Sequence, residues 1–127
     1  MNRDDVMRWV AESERAWRES DRLAVGGLFT EDAAYRPSPY EPSELGLDAI
    51  KEFWANDAGK TFVMAARVVA VDGDVAVVRV DVQYLTPTEQ EYRDVWLLRF
   101  APDGRVADFE EWAYWPGKPY SAAESAS

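Results

Sequence analysis

The chain has 127 residues, the size of one ordinary domain, and at this length roughly two-thirds of the unfolded surface can be buried. Its 24 acidic and 14 basic residues give a net charge of −10, which would repel phosphate backbones and anionic membranes, so we expect neither a nucleic-acid nor a membrane partner. The polar, acidic start at Met1–Asp5 is unlike a signal or transit peptide, and a cytoplasmic location is expected.

The chain contains neither cysteine nor histidine. The lack of cysteine excludes disulfides, thiolate nucleophiles and iron–sulfur clusters. The lack of histidine removes the usual base near neutral pH and the commonest transition-metal ligand, which excludes serine–histidine–aspartate triads and zinc hydrolases. We therefore expect no metal and no cofactor, and any proton transfer must fall to Asp, Glu, Tyr, Lys or water.

Two helices are predicted in the first 30 residues. Apolar and small side chains recur at helical spacing over residues 4–19. They are Val6, Trp9, Val10, Ser13, Ala16 and Trp17. Asp21 can cap a second, short helix that carries Leu23 and Leu28. The two glycines Gly26–Gly27 make that helix weak by itself, so its helical state must come from packing.

A short strand, a third helix and four long strands are predicted next. The strand at 33–36 is stopped by Pro37, and the helix begins at Leu47 and ends near Gly59. The long strands are expected at 62–71, 75–85, 91–100 and 105–115, joined by turns of which Asp72-Gly73 is the strongest hairpin signal. This element order is typical of an α+β fold, in one domain over 1–120 with a flexible C-terminal tail at 121–127.

The alternation along the strands predicts which face of the sheet packs against the helices. Val78, Val80 and Val82 alternate with charged residues and are expected to face the helices. The opposite face would carry Val63, Val69, Val95, Leu97, Trp112 and Tyr114. Monomers rarely expose so large an apolar patch, so we expect a homodimer through this outer sheet face. Alternatively, the aliphatic residues are there only because they favour strands.

Several runs resemble the nuclear transport factor 2-like superfamily, in particular its SnoaL-like branch. They are Leu28–Tyr35, Gly46–Trp54, Val71–Asp74 and Arg99–Val106, and the resemblance covers nearly all of residues 5–115. It implies a cone-shaped, curved, mixed or antiparallel sheet wrapped around three N-terminal helices, a cystatin-like α+β barrel. It also implies a cavity at the wide end and frequent dimers through the sheet. The superfamily hosts isomerases, dehydratases, cyclases, epoxide hydrolases and binding modules, so the fold alone does not select a function.

Two activities of the superfamily are disfavoured by the residues present. The positions of the ketosteroid isomerase Tyr, Asp and Asp are occupied here by Ser13, Pro37 and Trp96, none of which can do the same work. Scytalone dehydratase-like chemistry uses histidine, which the chain lacks.

The epoxide hydrolase and cyclase patterns are matched in part. Limonene epoxide hydrolases use an Arg and an Asp two apart on one strand, whereas Arg93 and Asp94 are adjacent and would lie on opposite faces. Glu111 falls about where those enzymes, and SnoaL-type cyclases, place an acid on the last strand.

Asp94 and Glu111 are the only acids at inward positions of the four long strands, so they are the candidate catalytic pair. If they lie close together, their repulsion would separate their pKa values and give one acid and one base. The alternative is structural: Asp94 accepts hydrogen bonds from a ring, and a register shift by one residue would turn Glu110 inward instead of Glu111.

Large rings are expected to line an apolar cavity and to hold a small apolar molecule. The candidates are Trp17, Tyr35, Trp54, Phe62, Tyr84, Tyr92, Trp96 and Trp115. The alternative is that these rings are simply part of the hydrophobic core.

The favoured hypothesis for the function is a cofactor-free acid/base enzyme of the isomerase, dehydratase, cyclase or epoxide hydrolase type on an apolar oxygenated substrate. The alternative is a non-catalytic protein that binds an apolar ligand or acts as an accessory partner.

Overall fold

A computed structural model describes residues 1–117 of the chain. The helices are α1 (Arg3–Glu19), a 3-10 turn (Arg22–Ala24), α2 (Val25–Leu28) and α3 (Leu47–Ala55). The strands are β1 (Phe29–Arg36), β2 (Glu44–Leu45), β3 (Thr61–Asp72), β4 (Val75–Thr86), β5 (Gln90–Phe100) and β6 (Val106–Tyr114). The tail expected at 121–127 lies outside the described residues.

The six strands form one curved, mixed sheet in the order β2-β1-β6-β5-β4-β3. β3 to β6 are an antiparallel meander, and β1 pairs with β6 in parallel. The sheet does not close, since β2 and β3 remain its edges. The α+β prediction with three helices and a curved sheet is thus confirmed.

Helix α1 packs along the inner face of the sheet. Asn2 caps it with a capping box, in which its side chain accepts from the Asp5 N–H and the Asp5 carboxylate accepts from the Asn2 N–H. Trp9 is buried on its inner side and donates from its indole N–H to the Leu28 carbonyl at 2.9 Å. The ring of Trp9 stands edge-on to Phe29 and Phe100, at 5.6 and 6.1 Å between centroids. This contact joins α1 to the α2–β1 junction and to the sheet.

The short helix α2 is held by packing, as its glycines require. Asp21 caps the preceding turn by accepting from the Ala24 N–H, as predicted. Leu28 is only 2% exposed, whereas Leu23 is 87% exposed, so Leu28 belongs to the core and Leu23 does not. The helix gains its stability from the burial of Val25 and Leu28 at its two ends.

Three element boundaries differ from the predictions. β1 begins at Phe29, four residues before the predicted strand, because Phe29 is fully buried and pairs with Val106 on β6. The two-residue strand β2 exists only through its pairing with β1, so no local pattern marks it. Helix α3 ends at Ala55 and not near Gly59, because a turn follows it.

The two faces of the sheet differ as the alternation predicted. Val78 and Val80 are fully buried beneath the helices, and Trp96 and Leu98 on the neighbouring strand are buried too. Of the six apolar residues expected on the outer face, Val63, Val69, Trp112 and Tyr114 are exposed, and Val95 and Leu97 are half-buried. Val75 and Leu85 at the two ends of β4 are exposed as well. Within residues 1–117 no helix is long and apolar enough to cross a membrane.

The first prediction tests whether packing holds α2. Leu28→Ala should lower the free energy of unfolding by about 2–5 kcal/mol, because it leaves a cavity in the core where Leu28 is buried. The matched control Leu23→Ala, on the same segment but exposed, should change it by no more than about 0.5 kcal/mol. Urea unfolding followed by circular dichroism measures both, and equal effects of the two substitutions would show that the helix is not held by burial.

The homodimer expected through the outer face stays a prediction. If a second copy covers Trp112 and Val63, light scattering should give the mass of a dimer at micromolar protein, and Trp112→Glu should shift it to the monomer. Leu23→Glu adds the same charge at an exposed site away from the sheet and should leave the dimer intact. A wild-type monomer at these concentrations would contradict the prediction.

Candidate active site

A cavity of about 450 Å³ lies between α1, α3 and the inner face of β4, β5 and β6. Ligand sites of small molecules commonly have this size. Nine aromatic residues line it: Trp9, Trp17, Tyr35, Phe53, Trp54, Tyr84, Tyr92, Trp96 and Phe109. Three carboxyl side chains, of Asp57, Asp94 and Glu111, share the same space. The cavity therefore joins an apolar wall to acidic groups.

The register of β5 and β6 brings Asp94 and Glu111 together. Asp94 is paired with Ala113, and Trp96 with Glu111, so the two acids are diagonal neighbours on the same face of the sheet. The two carboxyl groups are close enough to influence each other's ionisation. The indole N–H of Trp96 donates to Glu111 Oε2, at 3.4 Å. Asp94 is 4% exposed and Glu111 is half-buried, so the two acids lie in the wall of the cavity and not on the outer surface.

The pKa of Glu111 is raised well above its ordinary value. Enclosure in the cavity is the largest cause, followed by the hydrogen bond to Asp94 and by the negative charge of Asp94. The Trp96 hydrogen bond opposes the shift, and the more distant charge of Asp57 adds to it. Burial and the neighbouring acid therefore favour the protonated form of Glu111. A carboxyl group that holds its proton more tightly than usual thus lies beside a second acid.

Tyr35 supplies a neutral hydroxyl to the same cavity. Its ring stacks on Phe109, with 4.4 Å between centroids and planes 5° apart, and it is buried. Burial raises the pKa of Tyr35 well above its ordinary value, and the charge of Glu111 contributes in the same direction. The phenol therefore keeps its proton and can donate a hydrogen bond to an oxygen of a bound molecule.

Asp57 forms a second polar cluster, which the sequence analysis did not identify. Its Oδ2 accepts from the Trp17 indole N–H and from the Tyr84 hydroxyl, both at 3.2 Å. Its Oδ1 lies 2.8 Å from Lys60 Nζ. Burial raises the pKa of Tyr84, and the charge of Asp57 and the hydrogen bond to it raise it further. Asp57 lies in the turn after α3, where no periodicity shows the direction of a side chain. The sequence signal for this ion pair is the spacing of three residues between Asp57 and Lys60.

Six of the eight rings expected to hold a ligand line the cavity, and two do not. Those that do are Trp17, Tyr35, Trp54, Tyr84, Tyr92 and Trp96. Phe62 is buried behind Trp17, with 4.3 Å between centroids, and is covered by the guanidinium of Arg18. Trp115 follows the end of β6 and packs against Tyr92 at 5.6 Å, outside the lining.

The helix α1 contributes lining residues that were not predicted. Trp9, Ser13 and Trp17 are four residues apart and form one stripe, so the helix stripe expected to be core is also a cavity wall. Ser13 is buried, and its hydroxyl donates to the Val10 carbonyl at 2.7 Å.

The charged residues next to the pair point away from it. Glu110 lies on the outer face, 3.6 Å from Arg36, so Glu111 is the one of the two that lines the cavity. Arg93 is exposed and contacts Glu91 at 3.2 Å. The arginine needed for the epoxide hydrolase pattern is therefore not in this cavity. Within residues 1–117 no group of three His, Cys, Asp or Glu side chains is placed to hold a metal ion.

Comparison with solved structures shows the same fold over most of the chain. One neighbour is SalBIII, an epoxide hydrolase/cyclase-like enzyme of pyran ring formation in the polyether salinomycin, with a TM-score of 0.72 and 21% identity over 87% of this chain and 90% of that one. Another is a putative polyketide cyclase from Sinorhizobium meliloti, with a TM-score of 0.66 and 23% identity over 88% and 100%. A third is a ketosteroid isomerase-like protein from Erwinia carotovora atroseptica, with a TM-score of 0.67 and 20% identity over 92% and 97%. At these identities the likeness establishes the fold alone.

No curated protein matches the sequence. The family model of the SnoaL-like domain matches residues 6–109, which is most of the chain and includes all but the first turn of α1, the whole of β3 to β5 and the start of β6. The resemblance in the local runs is thereby confirmed, and the chain belongs to the SnoaL-like domain family.

Proposed function

We propose that this protein is a cofactor-free acid/base enzyme that moves protons on an apolar, oxygen-bearing molecule. The observation that carries the proposal is the placement of Asp94 and Glu111 as diagonal neighbours in a cavity whose other walls are mainly aromatic. Two neighbouring acids whose pKa values are driven apart can give and take protons, which is what general acid–base catalysis needs.

The pair can act on a carbonyl compound without a change in its own charge. The Asp94 carboxylate takes a proton from the carbon beside the carbonyl, and the electrons of the broken C–H bond form a C=C bond. Glu111 gives its proton to the carbonyl oxygen, so an enol is formed and the pair still holds one proton. Tyr35 can donate a hydrogen bond to the same oxygen. Return of the proton to another carbon gives isomerisation, and attack of the enol carbon on a second carbonyl closes a ring.

The position of the two carboxyls on one face of the sheet favours this reaction over the hydrolysis of an epoxide. Because they lie on the same wall of the cavity, they act from the same side of a substrate, which suits proton transfer on one face. Opening of an epoxide by water places the acid and the base on opposite sides of the ring. Two of the structural neighbours are named as a polyketide cyclase and a ketosteroid isomerase-like protein, and these names support chemistry beside a carbonyl.

The proposed role of Asp94 as the base can be tested without knowledge of the natural substrate. The elimination of 5-nitrobenzisoxazole needs one base in an apolar site, breaks its C–H and N–O bonds, and releases a coloured phenoxide. We expect the wild-type protein to accelerate it, and Asp94→Asn to lower kcat/KM by about 100-fold or more. Asp108→Asn, which removes the same charge from the outer face of β6, should leave the rate unchanged.

A binding measurement distinguishes an enzyme from a protein that only binds its ligand. If Asp94→Asn loses turnover and still binds the product with wild-type affinity, the carboxylate acts on the reacting atoms. If the wild-type protein and both variants turn over equally, or none exceeds acetate at the same pH, the proposal fails and the cavity belongs to a non-catalytic binding module.

The raised pKa of Glu111 also predicts how stability depends on pH. The folded state holds this proton more tightly than the unfolded state, in which the group titrates near 4.5. The stabilisation is complete below that pH and is lost as pH rises towards the folded pKa, with a slope of at most about 1.4 kcal/mol per pH unit. Glu111→Gln keeps the shape and an N–H donor towards Asp94 but has no proton to lose. Its stability relative to wild type should therefore increase from pH 4.5 to pH 8 in urea unfolding, and a constant difference would show that Glu111 titrates normally.

A further inference from the structure

The polar side chains that α1 contributes to the cavity wall already donate their hydrogens within the protein. They are Trp9, Ser13 and Trp17. Trp9 and Ser13 donate to backbone carbonyls, and Trp17 donates to a carboxylate. Each of these side chains has a single hydrogen to donate. Through these three residues, the α1 wall therefore offers no further donor to a bound molecule.

The hydroxyl of Tyr84 is used as a donor in the same way. It donates at 3.2 Å to Asp57 Oδ2, the oxygen that also accepts from the Trp17 indole, while Lys60 Nζ lies 2.8 Å from Asp57 Oδ1. Since an indole and an ammonium group can only donate, Asp57 is the acceptor for both, and the proton between Tyr84 and Asp57 belongs to the tyrosine. Burial raises the pKa of Tyr84, so the phenol keeps this proton.

A phenol that donates its only hydrogen presents its oxygen to a ligand as an acceptor. The Tyr84 oxygen keeps its lone pairs, and Tyr84 is one of the residues that line the cavity. Donation to a carboxylate polarises the O–H bond and makes the oxygen a stronger acceptor. A ligand hydroxyl therefore finds a partner at Tyr84, whereas an ether or carbonyl oxygen of a ligand meets lone pairs and is repelled.

The two tyrosines with defined hydrogen-bond roles lie on different walls of the cavity. Tyr35 is on β1 and Tyr84 is on β4, and both β6 and β5 lie between them in the sheet. Neighbouring strands are about 4.8 Å apart, so these three steps separate the two backbones by roughly 14 Å along the sheet. Because Tyr35 is proposed to donate to the carbonyl oxygen of the substrate, the acceptor at Tyr84 meets a different part of the same molecule.

We infer that the substrate carries a hydroxyl group, at the end remote from its carbonyl, which donates to the oxygen of Tyr84. The inference rests on the proposed function for the position of the carbonyl, and it makes the substrate a hydroxylated, ring-bearing carbonyl compound. Asp57 is a positioning residue in this site, because it orients the hydroxyl of Tyr84 so that its oxygen accepts. The hydroxyl of the substrate extends the chain of hydrogen bonds that runs through Tyr84 to Asp57.

Four naphthalenes with the same acetyl group test the inference. 2-Acetyl-6-hydroxynaphthalene carries the donor, its 6-methoxy analogue carries only an acceptor, 2-acetylnaphthalene carries neither, and 6-acetyl-2-naphthoate carries an anion that suits Lys60. Isothermal titration at slightly acidic pH, where the hydroxyl keeps its proton, should give the hydroxy compound a dissociation constant at least about tenfold below those of the other three. Its addition should shift the NMR signal of the Trp17 indole N–H, which shares an oxygen of Asp57 with Tyr84, and not that of Trp112 on the outer face.

Two matched variants locate the acceptor. Tyr84→Phe keeps the ring and removes the oxygen, so it should reduce the preference for the hydroxy over the methoxy compound to within about twofold. It should leave the affinity for 2-acetylnaphthalene within about twofold of wild type, which also reports that the cavity is intact. Tyr40→Phe makes the same change at an exposed position and should keep the full preference.

Three results would overturn the inference: equal affinities of wild type for the hydroxy and methoxy compounds, retention of the full preference in Tyr84→Phe, or tightest binding of the naphthoate. The elimination assay is independent of these measurements. A preference for the hydroxyl without elimination activity would uphold the binding site and reject the enzyme, and elimination without the preference would do the opposite.

Discussion

The register between β5 and β6 is the constraint on which the candidate site depends, because it brings Asp94 and Glu111 together. The two acids share a face only because Trp96 is paired with Glu111. A slip of β6 by one residue would turn Glu110 inward in place of Glu111. Phe109, which is buried on the same face of β6 and paired with the buried Leu98, opposes such a slip because it would be exposed. The core thus holds the site in register.

The cavity exists because the helices cover one face of a curved sheet without filling the space beneath them. Trp9 anchors α1 at one end, where its indole bonds to the Leu28 carbonyl. At the other end Trp17 and Tyr84 both donate to the same oxygen of Asp57, so a single carboxylate ties α1, the turn after α3 and β4 together. These hydrogen bonds lie where apolar side chains would otherwise pack and fill the cavity. They keep the walls of the cavity apart, and they give the indole and phenol groups that line it their hydrogen-bond partners.

The strands and the inward acids were predictable from sequence because a strand has a fixed period of two. Once Val78, Val80 and Trp96 are assigned to the core, the inward position of Asp94 follows, and that of Glu111 follows from the same rule on β6. A turn has no such fixed period, so the sequence does not show that the side chain of Asp57 points into the cavity. Trp115 was assigned inward by extending the period past the end of β6, where the pleat no longer applies. Phe62 has the inward parity, but Trp17 lies between it and the cavity, and only the packing of α1 decides that.

The raised pKa of Glu111 connects stability with function. Enclosure of a second acid beside Asp94 makes the fold lose stability as the pH rises above about 4.5, because the unfolded chain releases a proton that the folded chain holds more tightly. A glutamine would avoid that penalty, and a leucine would suit the surrounding rings. Neither could carry a proton between two oxygens, which is the role proposed for Glu111. The group that weakens the fold is thus the one that the proposed chemistry needs, as is common where chemistry and stability compete for the same position.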